Sequence, residues 1–150
     1  MWSATEDLPP CIVLGLETQI GLSVVRELGG AGVPVVGITH ERRALALASR
    51  HLARSIHVDQ LRSERLVEII RAIGEEIGPC ALLAVSEANL LWLSAHRNAF
   101  GKVRPVVPPQ AALEIALDKK RTLDLARRVG IRVPQTVEPV LDKPLDRTGD

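Results

Sequence analysis

The sequence has 150 residues, which is enough for one domain with a proper core and a tail. Hydrophobic residues make up 46% and charged residues 25%, but aromatic residues only 2%, so the core must be aliphatic. The net charge of +1 gives no field that would attract nucleic acid, and the few aromatic side chains leave few surfaces for stacking on bases. The composition therefore argues against a nucleic-acid partner.

The amino-terminal sequence is not typical of a secretion signal. It reads Met-Trp-Ser-Ala-Thr-Glu-Asp, which is acidic where a signal peptide is cationic, and no apolar run approaches the ~20 residues of a membrane span. We therefore expect a cytoplasmic protein without a membrane partner. Cys11 and Cys80 lack a metal-ligand spacing, and cytosolic thiols stay reduced, so both are predicted to be small buried core residues.

The first half of the chain alternates strands with helices. Strands are predicted at Cys11–Leu16, Val33–Thr39 and Ser55–Val58. Thr18 is a suitable cap for the first helix, which Gly29, Gly30 and Gly32 are expected to end. The Arg-rich segment 41–54 predicts a short helix or turn before the third strand.

The second half continues the alternation. Strands are predicted at Cys80–Val85 and Arg104–Val107. Helices are predicted between Ser63 and Gly78, from about Ala88 to Asn98, after Pro108–Pro109, and from Lys119 to Val129 behind the cap Asp118. The pattern indicates an α/β fold with a doubly wound, Rossmann-like parallel sheet of about five strands. Ligands then belong at the carboxyl ends of the strands.

The loop Gly15–Gly21 joins the first strand to the first helix, where backbone amides and the helix dipole can hold an anion. It is not the dinucleotide-binding fingerprint, because Glu17 stands where a second glycine would admit a pyrophosphate. Gly15, Glu17 and Thr18 are candidate substrate-binding residues. The alternative is that Gly15 and Gly21 only permit a tight turn and close packing of helix on strand.

Ser86 and Glu87 follow the fourth strand. In the usual strand order 3-2-1-4, Glu87 faces the same crevice as Glu17, where two acids could select an amine or order a water. Glu87 is therefore a further candidate substrate-binding residue. The alternative is that Ser86 caps a helix with Glu87 in its first turn.

The Arg-rich segment contains Arg42, Arg43, Arg50 and Arg54, with His40 and His51 interspersed. Guanidinium groups bind carboxylates and phosphates in a bidentate way, so this segment could clamp such an anion. The alternative is a solvated face. The histidines form no metal-ligand pattern and no Ser-His-acid arrangement is legible, so neither a metal site nor a catalytic residue is predicted.

The segment Ala116–Thr136 carries the most specific signal. It reads Ala-Leu-Asp-Lys-Lys-Arg-Thr-Leu-Asp-Leu-Ala-Arg-Arg-Val-Gly-Ile-Arg-Val-Pro-Gln-Thr and resembles the Asp-Lys helix and Gly-Ile-Pro-Val-Pro-x-Thr turn that lead into the ATP-binding domain of ATP-grasp enzymes, although Arg132 replaces the first proline. Ser49-Arg50 resembles a Ser-Arg pair of carboxylate–amine ligases. Ser86-Glu87-Ala-Asn89 resembles the Ser-Glu-Asn turn of the biotin carboxylase branch.

The resemblance implies an N-terminal, pre-ATP-grasp domain of a carboxylate–amine ligase at 8–116. A linker helix and turn that enter an ATP-grasp domain would follow at 117–136, and the tail 137–150 is expected to be truncated or disordered. Lys119 would reach the ATP phosphates, with Lys120 as an alternative. Small-molecule carboxylate and amine substrates are implied as partners, and a homodimer is left open.

The implied chemistry uses ATP and Mg²⁺ in the full-length enzyme, which activates a carboxylate as an acyl phosphate that an amine attacks. The β-rich subdomains, the second phosphate-binding lysine and the acidic metal ligands of the family have no counterpart after Thr136. We therefore expect this chain to be inactive as a fragment and to bind neither cofactor tightly. Two alternative hypotheses remain. One is a noncatalytic α/β module that binds a small ligand or a protein. The other is a nicotinamide-dependent enzyme domain, which is disfavoured because Glu17 replaces a glycine of the dinucleotide-binding fingerprint.

Overall fold

The computed structural model describes residues 8–134, so the predicted tail 137–150 lies outside the described residues. The strands are β1 (Cys11–Leu14), β2 (Val35–Thr39), β3 (Leu52–His57), β4 (Cys80–Ala84) and β5 (Val103–Pro105). The α-helices are α1 (Gln19–Gly30), α2 (Glu64–Ile77), α3 (Glu87–Ala95), α4 (Gln110–Leu117) and α5 (Lys119–Arg128). A single 3₁₀ turn, Leu45–Ala48, is described in the Arg-rich segment.

The five strands form one parallel sheet in the order β3-β2-β1-β4-β5. This confirms both the doubly wound α/β fold and the strand order 3-2-1-4 on which the site predictions depend. At the end of β1, Leu14 lies beside Ile38 of β2 and Ala84 of β4. The chain leaves β1 toward β2 and later enters the other side of β1 through β4, so the order reverses between β1 and β4. Ligands of such sheets bind where the order reverses.

Side chains alternate between the two faces of β1, and each face has its own aliphatic core. Ile12 and Leu14 pack with α2 and α3, whereas Cys11 and Val13 pack with α1 and the 3₁₀ turn. All four side chains are at most 3% exposed. Complete burial of one such aliphatic side chain contributes about 1.5–3 kcal/mol, so these two layers hold the sheet between the helices.

The cysteines lie in different layers of the core. Cys11 belongs to the cluster beneath α1, and Cys80 belongs to the cluster beneath α2 and α3. Both are buried free thiols, as the sequence predicts. Among the described residues, no group of three histidine, cysteine or acidic side chains could hold a metal ion.

Several predicted strand boundaries differ from the structure: β1 ends at Leu14 rather than Leu16, β2 begins at Val35 rather than Val33, and β4 ends at Ala84 rather than Val85. The boundaries of β3 and β5 are wrong as well. The strand β3 begins at Leu52, three residues before the predicted start, because Leu52 pairs with Val35 of β2. As an edge strand it is mostly exposed, so it lacks the apolar run by which a buried strand is recognised. The short strand β5 ends at Pro105 rather than Val107, although Val106 still donates its amide to Leu82 of β4 at 2.9 Å.

Helix caps agree better with the sequence than helix ends do. Thr18, Ser63 and Asp118 cap α1, α2 and α5 with their side chains, as predicted. The prediction that glycines end α1 is wrong for two of them, since Gly29 and Gly30 are its last two residues. The helix ends at Gly30, and Ala31 is its C-cap.

The described contacts divide the chain into two compact units, one up to Glu114 and one from Ile115. In the second unit, Thr122 Oγ1 donates to Ile115 O at 2.6 Å and thereby ties α5 to the end of α4. The helix α5 has no buried residue. In the part of the chain that the structure describes, no helix combines the length and the apolar surface that crossing a bilayer requires.

Candidate functional site

The loops that follow β1 and β4 lie side by side at the carboxyl edge of the sheet. The Val85 amide donates to Leu14 O at 3.3 Å across the two strands. Gly15 has a φ of +104°, and a Cβ at this position would overlap Val85 Cγ2. Only glycine meets both demands, the left-handed backbone and the close approach to β4. The two loops predicted to share a crevice are therefore adjacent, and we call this edge the strand-end crevice.

The loop Gly15–Gly21 satisfies its own polar groups to a large extent. Thr18 Oγ1 accepts from the Gly21 amide at 2.9 Å and donates to Gly15 O at 3.3 Å. A Cβ on Gly21 would overlap Gly15 O, so the helix packs directly on the loop. The tight-turn interpretation thus explains Gly15 and Gly21, and the Thr18 hydroxyl is already engaged as a cap.

Glu17 differs from its neighbours in this loop. The residue is partly buried, and its Oε2 atom has neither solvent contact nor a hydrogen-bond partner among the described residues. Buried polar atoms in folded proteins are almost always paired, and a carboxylate oxygen gains most from a charged or N–H donor. The fold therefore leaves one carboxylate oxygen of Glu17 buried and, among the described residues, without a donor.

The second loop shows the capping arrangement. Ser86 Oγ accepts from the Asn89 amide at 3.2 Å, and Glu87 is the first residue of α3. The Glu87 side chain is exposed and stays close to the positive end of the helix. The structure thus shows the arrangement of the capping alternative, with Ser86 as the cap and Glu87 exposed in the first turn of α3.

The side-chain amide of Asn89, beside this loop, was not predicted from the sequence to have a role. Asn89 is 1% exposed, and its Oδ1 accepts from Arg62 Nη1 at 3.0 Å. Arg62 itself has a φ of +57°, which is uncommon outside glycine, asparagine and aspartate. The link fixes the loop before α2 against the first turn of α3. No local sequence pattern predicts a role for Arg62, and Asn89 enters the sequence-based prediction only as part of the Ser-Glu-Ala-Asn turn.

The Arg-rich segment does not form one clamp. Arg54 pairs with Glu76 of α2 at 2.7 Å. Arg42 lines a pocket with Thr39 and other residues at the ends of β2 and β3. Arg50 and His51 instead line a pocket with Arg26 of α1. The charges of the segment are thus divided among separate surfaces, which the sequence alone did not resolve.

The Asp-Lys pair begins α5 in the second unit. Asp118 Oδ1 accepts from the Arg121 amide at 3.0 Å and so caps the helix. Lys119 is exposed, and no ion pair to another described residue occupies its ammonium group. Lys120 also has an exposed side chain. The amino terminus of α5 thus presents an exposed lysine at the positive end of the helix dipole, which suits an anion such as a phosphate.

No known protein family matches this sequence at the level of a family model, and no curated protein matches it significantly. Solved structures do match the fold. An L-amino acid ligase from Bacillus licheniformis superposes with a TM-score of 0.58 and 13% identity over 87% of this chain and 31% of its own. An N5-carboxyaminoimidazole ribonucleotide synthetase from Thermotoga maritima gives a TM-score of 0.58 and 18% identity over 85% of this chain and 32% of its own.

The biotin carboxylase domain of a single-chain bacterial carboxylase gives a TM-score of 0.55 and 19% identity over 83% of this chain and 30% of its own. All three proteins belong to the ATP-grasp superfamily. The chain spans about a third of the length of each structure that it matches. Its fold is the Rossmann-like fold of the pre-ATP-grasp domain, as the sequence resemblance predicts.

Proposed function

We propose that this chain is the N-terminal, substrate-side domain of an ATP-dependent carboxylate–amine ligase. In this proposal residues 8–116 form the pre-ATP-grasp domain, and 117–136 lead into an ATP-grasp domain of the full-length protein. The observation that carries it is the five-stranded Rossmann-like sheet, in which the loops that bear Glu17 and Glu87 lie side by side at the point where the strand order reverses. ATP-grasp neighbours with the same fold support it.

The strand-end crevice would hold the organic substrates. Glu17 and Glu87 offer two carboxylates on adjacent loops, and such a pair favours an ammonium group or another polyvalent N–H donor. Gly15 lets the loop pack closely against β4, while Thr18 holds the loop in shape through its cap. The substrate class is therefore a small amine, with the carboxylate substrate beside it.

The proposed reaction has two steps. A carboxylate oxygen attacks the γ-phosphorus of ATP, and the bond from that phosphorus to the oxygen bridging it to the β-phosphate breaks. ADP departs, and the carboxylate has become an acyl phosphate. The amine nitrogen then attacks the acyl carbon, loses a proton, and phosphate leaves. Lys119 would neutralise phosphate charge at the amino terminus of α5, where the helix dipole adds to its effect.

The described residues do not fit a magnesium site, because no three suitable side chains cluster among them. The proposal therefore assigns the Mg²⁺ ligands to residues outside this part of the protein and derives no step from the ion here. Apolar side chains of the second unit are also uncovered, with Val129 63% and Ile131 61% exposed. A further domain packed on this segment would remove that surface from water.

The test uses the protein translated from the complete reading frame. Amino acids and other small carboxylates are presented with ATP and Mg²⁺, and ADP release is followed with and without hydroxylamine. An acyl phosphate is trapped by hydroxylamine as a hydroxamate, so carboxylate-dependent hydroxamate formation is the expected result. If no carboxylate elicits ADP release and ATP does not bind in equilibrium dialysis, the ligase proposal fails and the noncatalytic binding module replaces it.

Matched variants of the same protein assign the residues. Lys119→Gln is expected to lower kcat/KM by at least ~10-fold, since a charge-assisted phosphate contact contributes roughly 1.5–3 kcal/mol. Lys120→Gln is its neighbour control, and a larger loss there would transfer the phosphate role to Lys120. Glu17→Gln should raise KM for the amine, whereas Glu27→Gln, which changes an exposed acid of the following helix α1, should not.

A further inference from the structure

A second pocket of about 470 Å³ lies at the amino-terminal edge of the sheet and is lined by Arg26, Ala48, Ser49, Arg50 and His51. The last three residues directly precede β3, so they lie at the start of that strand. The strand-end crevice follows β1 and β4 and therefore occupies the opposite edge of the same parallel sheet. The two sites are separate.

The walls of this pocket are held by specific contacts. Ser49 Oγ accepts from the His51 amide at 3.3 Å, and the Ser49 amide donates to Ala46 O at 3.0 Å. The turn lies directly on the end of α1, because a Cβ on Gly29 would come within 2.5 Å of His51 Cβ and 2.7 Å of His51 O. Glycine at this position lets the helix that carries Arg26 approach the turn that carries Arg50.

The charge of the pocket is not compensated by its own walls. The described lining contains no acidic side chain. Arg26 has no ion pair to another described residue, and the one hydrogen bond described for the Arg50 guanidinium goes from Nε to His51 Nε2 at 3.4 Å. By contrast, Arg54 and Arg65 nearby in sequence each pair with a glutamate. Two guanidinium groups thus face an open pocket with most of their donors unused.

The carboxyl end of α1 does not explain these arginines. Helix ends attract cations because their last carbonyls lack partners. Here the Ala31 amide donates to Glu27 O at 3.0 Å, and the Gly32 amide donates to Gly29 O at 3.1 Å. The end of the helix is therefore closed by backbone amides, and the guanidinium donors are not required there.

We propose that this pocket binds a small phosphorylated anion. Two arginines supply two positive charges and planar pairs of N–H donors, which match the charge and the oxygen geometry of a phosphoryl group. The Ser49 hydroxyl adds a short polar contact on the same wall. A monocarboxylate brings only one charge and two oxygens and leaves one arginine unmatched. The inference does not depend on the ligase proposal, since it concerns a different edge of the sheet.

The experiment is an NMR titration of the ¹⁵N-labelled 150-residue chain with sodium pyrophosphate at constant ionic strength. Constant salt matters because screening alone changes the attraction of an anion to exposed arginines. Saturable shifts are expected at the amides of Ser49, Arg50 and His51. Arg26→Gln and Arg50→Gln should each weaken binding by at least ~10-fold, the size of a lost charge-assisted contact. An unchanged thermal unfolding midpoint verifies that each variant is folded.

Arg43→Gln is the matched control, because Arg43 is an exposed arginine of the same segment that does not line the pocket. It should leave the affinity unchanged. An equal loss in all three variants would mean unspecific attraction by net charge and would overturn the proposal. Chemical shifts that never saturate with pyrophosphate would also overturn the proposal. Succinate binding as tightly as pyrophosphate would overturn it too, because it would refute the preference for a phosphoryl group.

Discussion

At the scale of single residues, the two cysteines show how burial sets chemistry. Desolvation, together with the charge of nearby Cys80, raises the pKa of Cys11 from its ordinary value of 9.0 to about 11. Burial also raises the pKa of Cys80. A thiol that stays protonated is a poor nucleophile, so both side chains act as small core residues.

The raised pKa of Cys11 predicts a loss of stability in alkaline solution. In the unfolded chain the thiol ionises near pH 9, whereas the folded protein retains the proton until about pH 11. The unfolded state therefore binds fewer protons in this window, and the free energy of unfolding falls as pH rises from about 9 to 11. Below pH 9 the thiol has no effect on the slope.

Urea unfolding at several pH values measures this slope. The Cys11→Ala variant leaves a small cavity and shifts the whole curve down, but its slope between pH 9 and 11 should be shallower than that of the natural sequence. Cys80→Ala should flatten the curve further when combined with it. Identical slopes for all proteins would contradict a buried, protonated Cys11.

At the scale of elements, side-chain caps set where helices begin. Thr18, Ser63 and Ser86 each accept from a backbone amide three residues ahead, at 2.9, 3.2 and 3.2 Å. Each bond satisfies one amide that a helix start otherwise leaves unpaired. Two of these caps, Thr18 and Ser86, border the strand-end crevice. The Thr18 hydroxyl, which the sequence suggests as a ligand group, is thus used to shape the site.

For α1, we predict that Thr18→Ala lowers the free energy of unfolding by about 1 kcal/mol, the usual effect of removing a cap. Thr18→Ser keeps the hydroxyl and should retain most of the stability. Ser23→Ala, at an exposed position on α1, should change stability by less than about 0.5 kcal/mol. Urea unfolding gives all three values. A Thr18→Ala protein with unchanged stability would show that the hydroxyl is not needed as a cap.

At the scale of the whole molecule, the core lies within the first compact unit. Both core clusters draw their residues from 11–107, and the first compact unit ends at Glu114. Leu113 of α4 is 3% exposed and belongs to this first unit. The stability of the sheet should therefore depend on α4 but not on α5.

Two truncated chains test this dependence. A chain that ends at Leu117 keeps α4 and should retain the free energy of unfolding within about 1 kcal/mol. A chain that ends at Pro109 loses Leu113 and should be less stable by about 2 kcal/mol or more, since a buried leucine contributes about 1.5–3 kcal/mol. Urea unfolding followed by circular dichroism measures both. A large loss on removing α5 would mean that the second unit stabilises the first.

Much of the fold follows from signals that lie within a few residues of one another. The run Cys11–Leu14, the cap Thr18 and the periodic apolar face of α2 are local patterns, and each predicts the correct element. The edge strand β3 was misplaced because an edge strand is defined by pairing with a distant segment rather than by its own composition. Alternation of the elements then restricts the topology to a doubly wound sheet.

The sequence by itself determined the α/β class, the helix starts and the two loops that meet at the strand-end crevice, because short-range patterns and the rules of parallel sheets encode them. Only the tertiary structure decided which polar groups lack partners and which charges come together. Among the described residues, Glu17 Oε2 has no hydrogen-bond partner. Asn89 accepts a hydrogen bond from Arg62, and Arg26 shares a pocket with Arg50. These relations join residues far apart in the chain, and their geometry depends on how the crossovers pack.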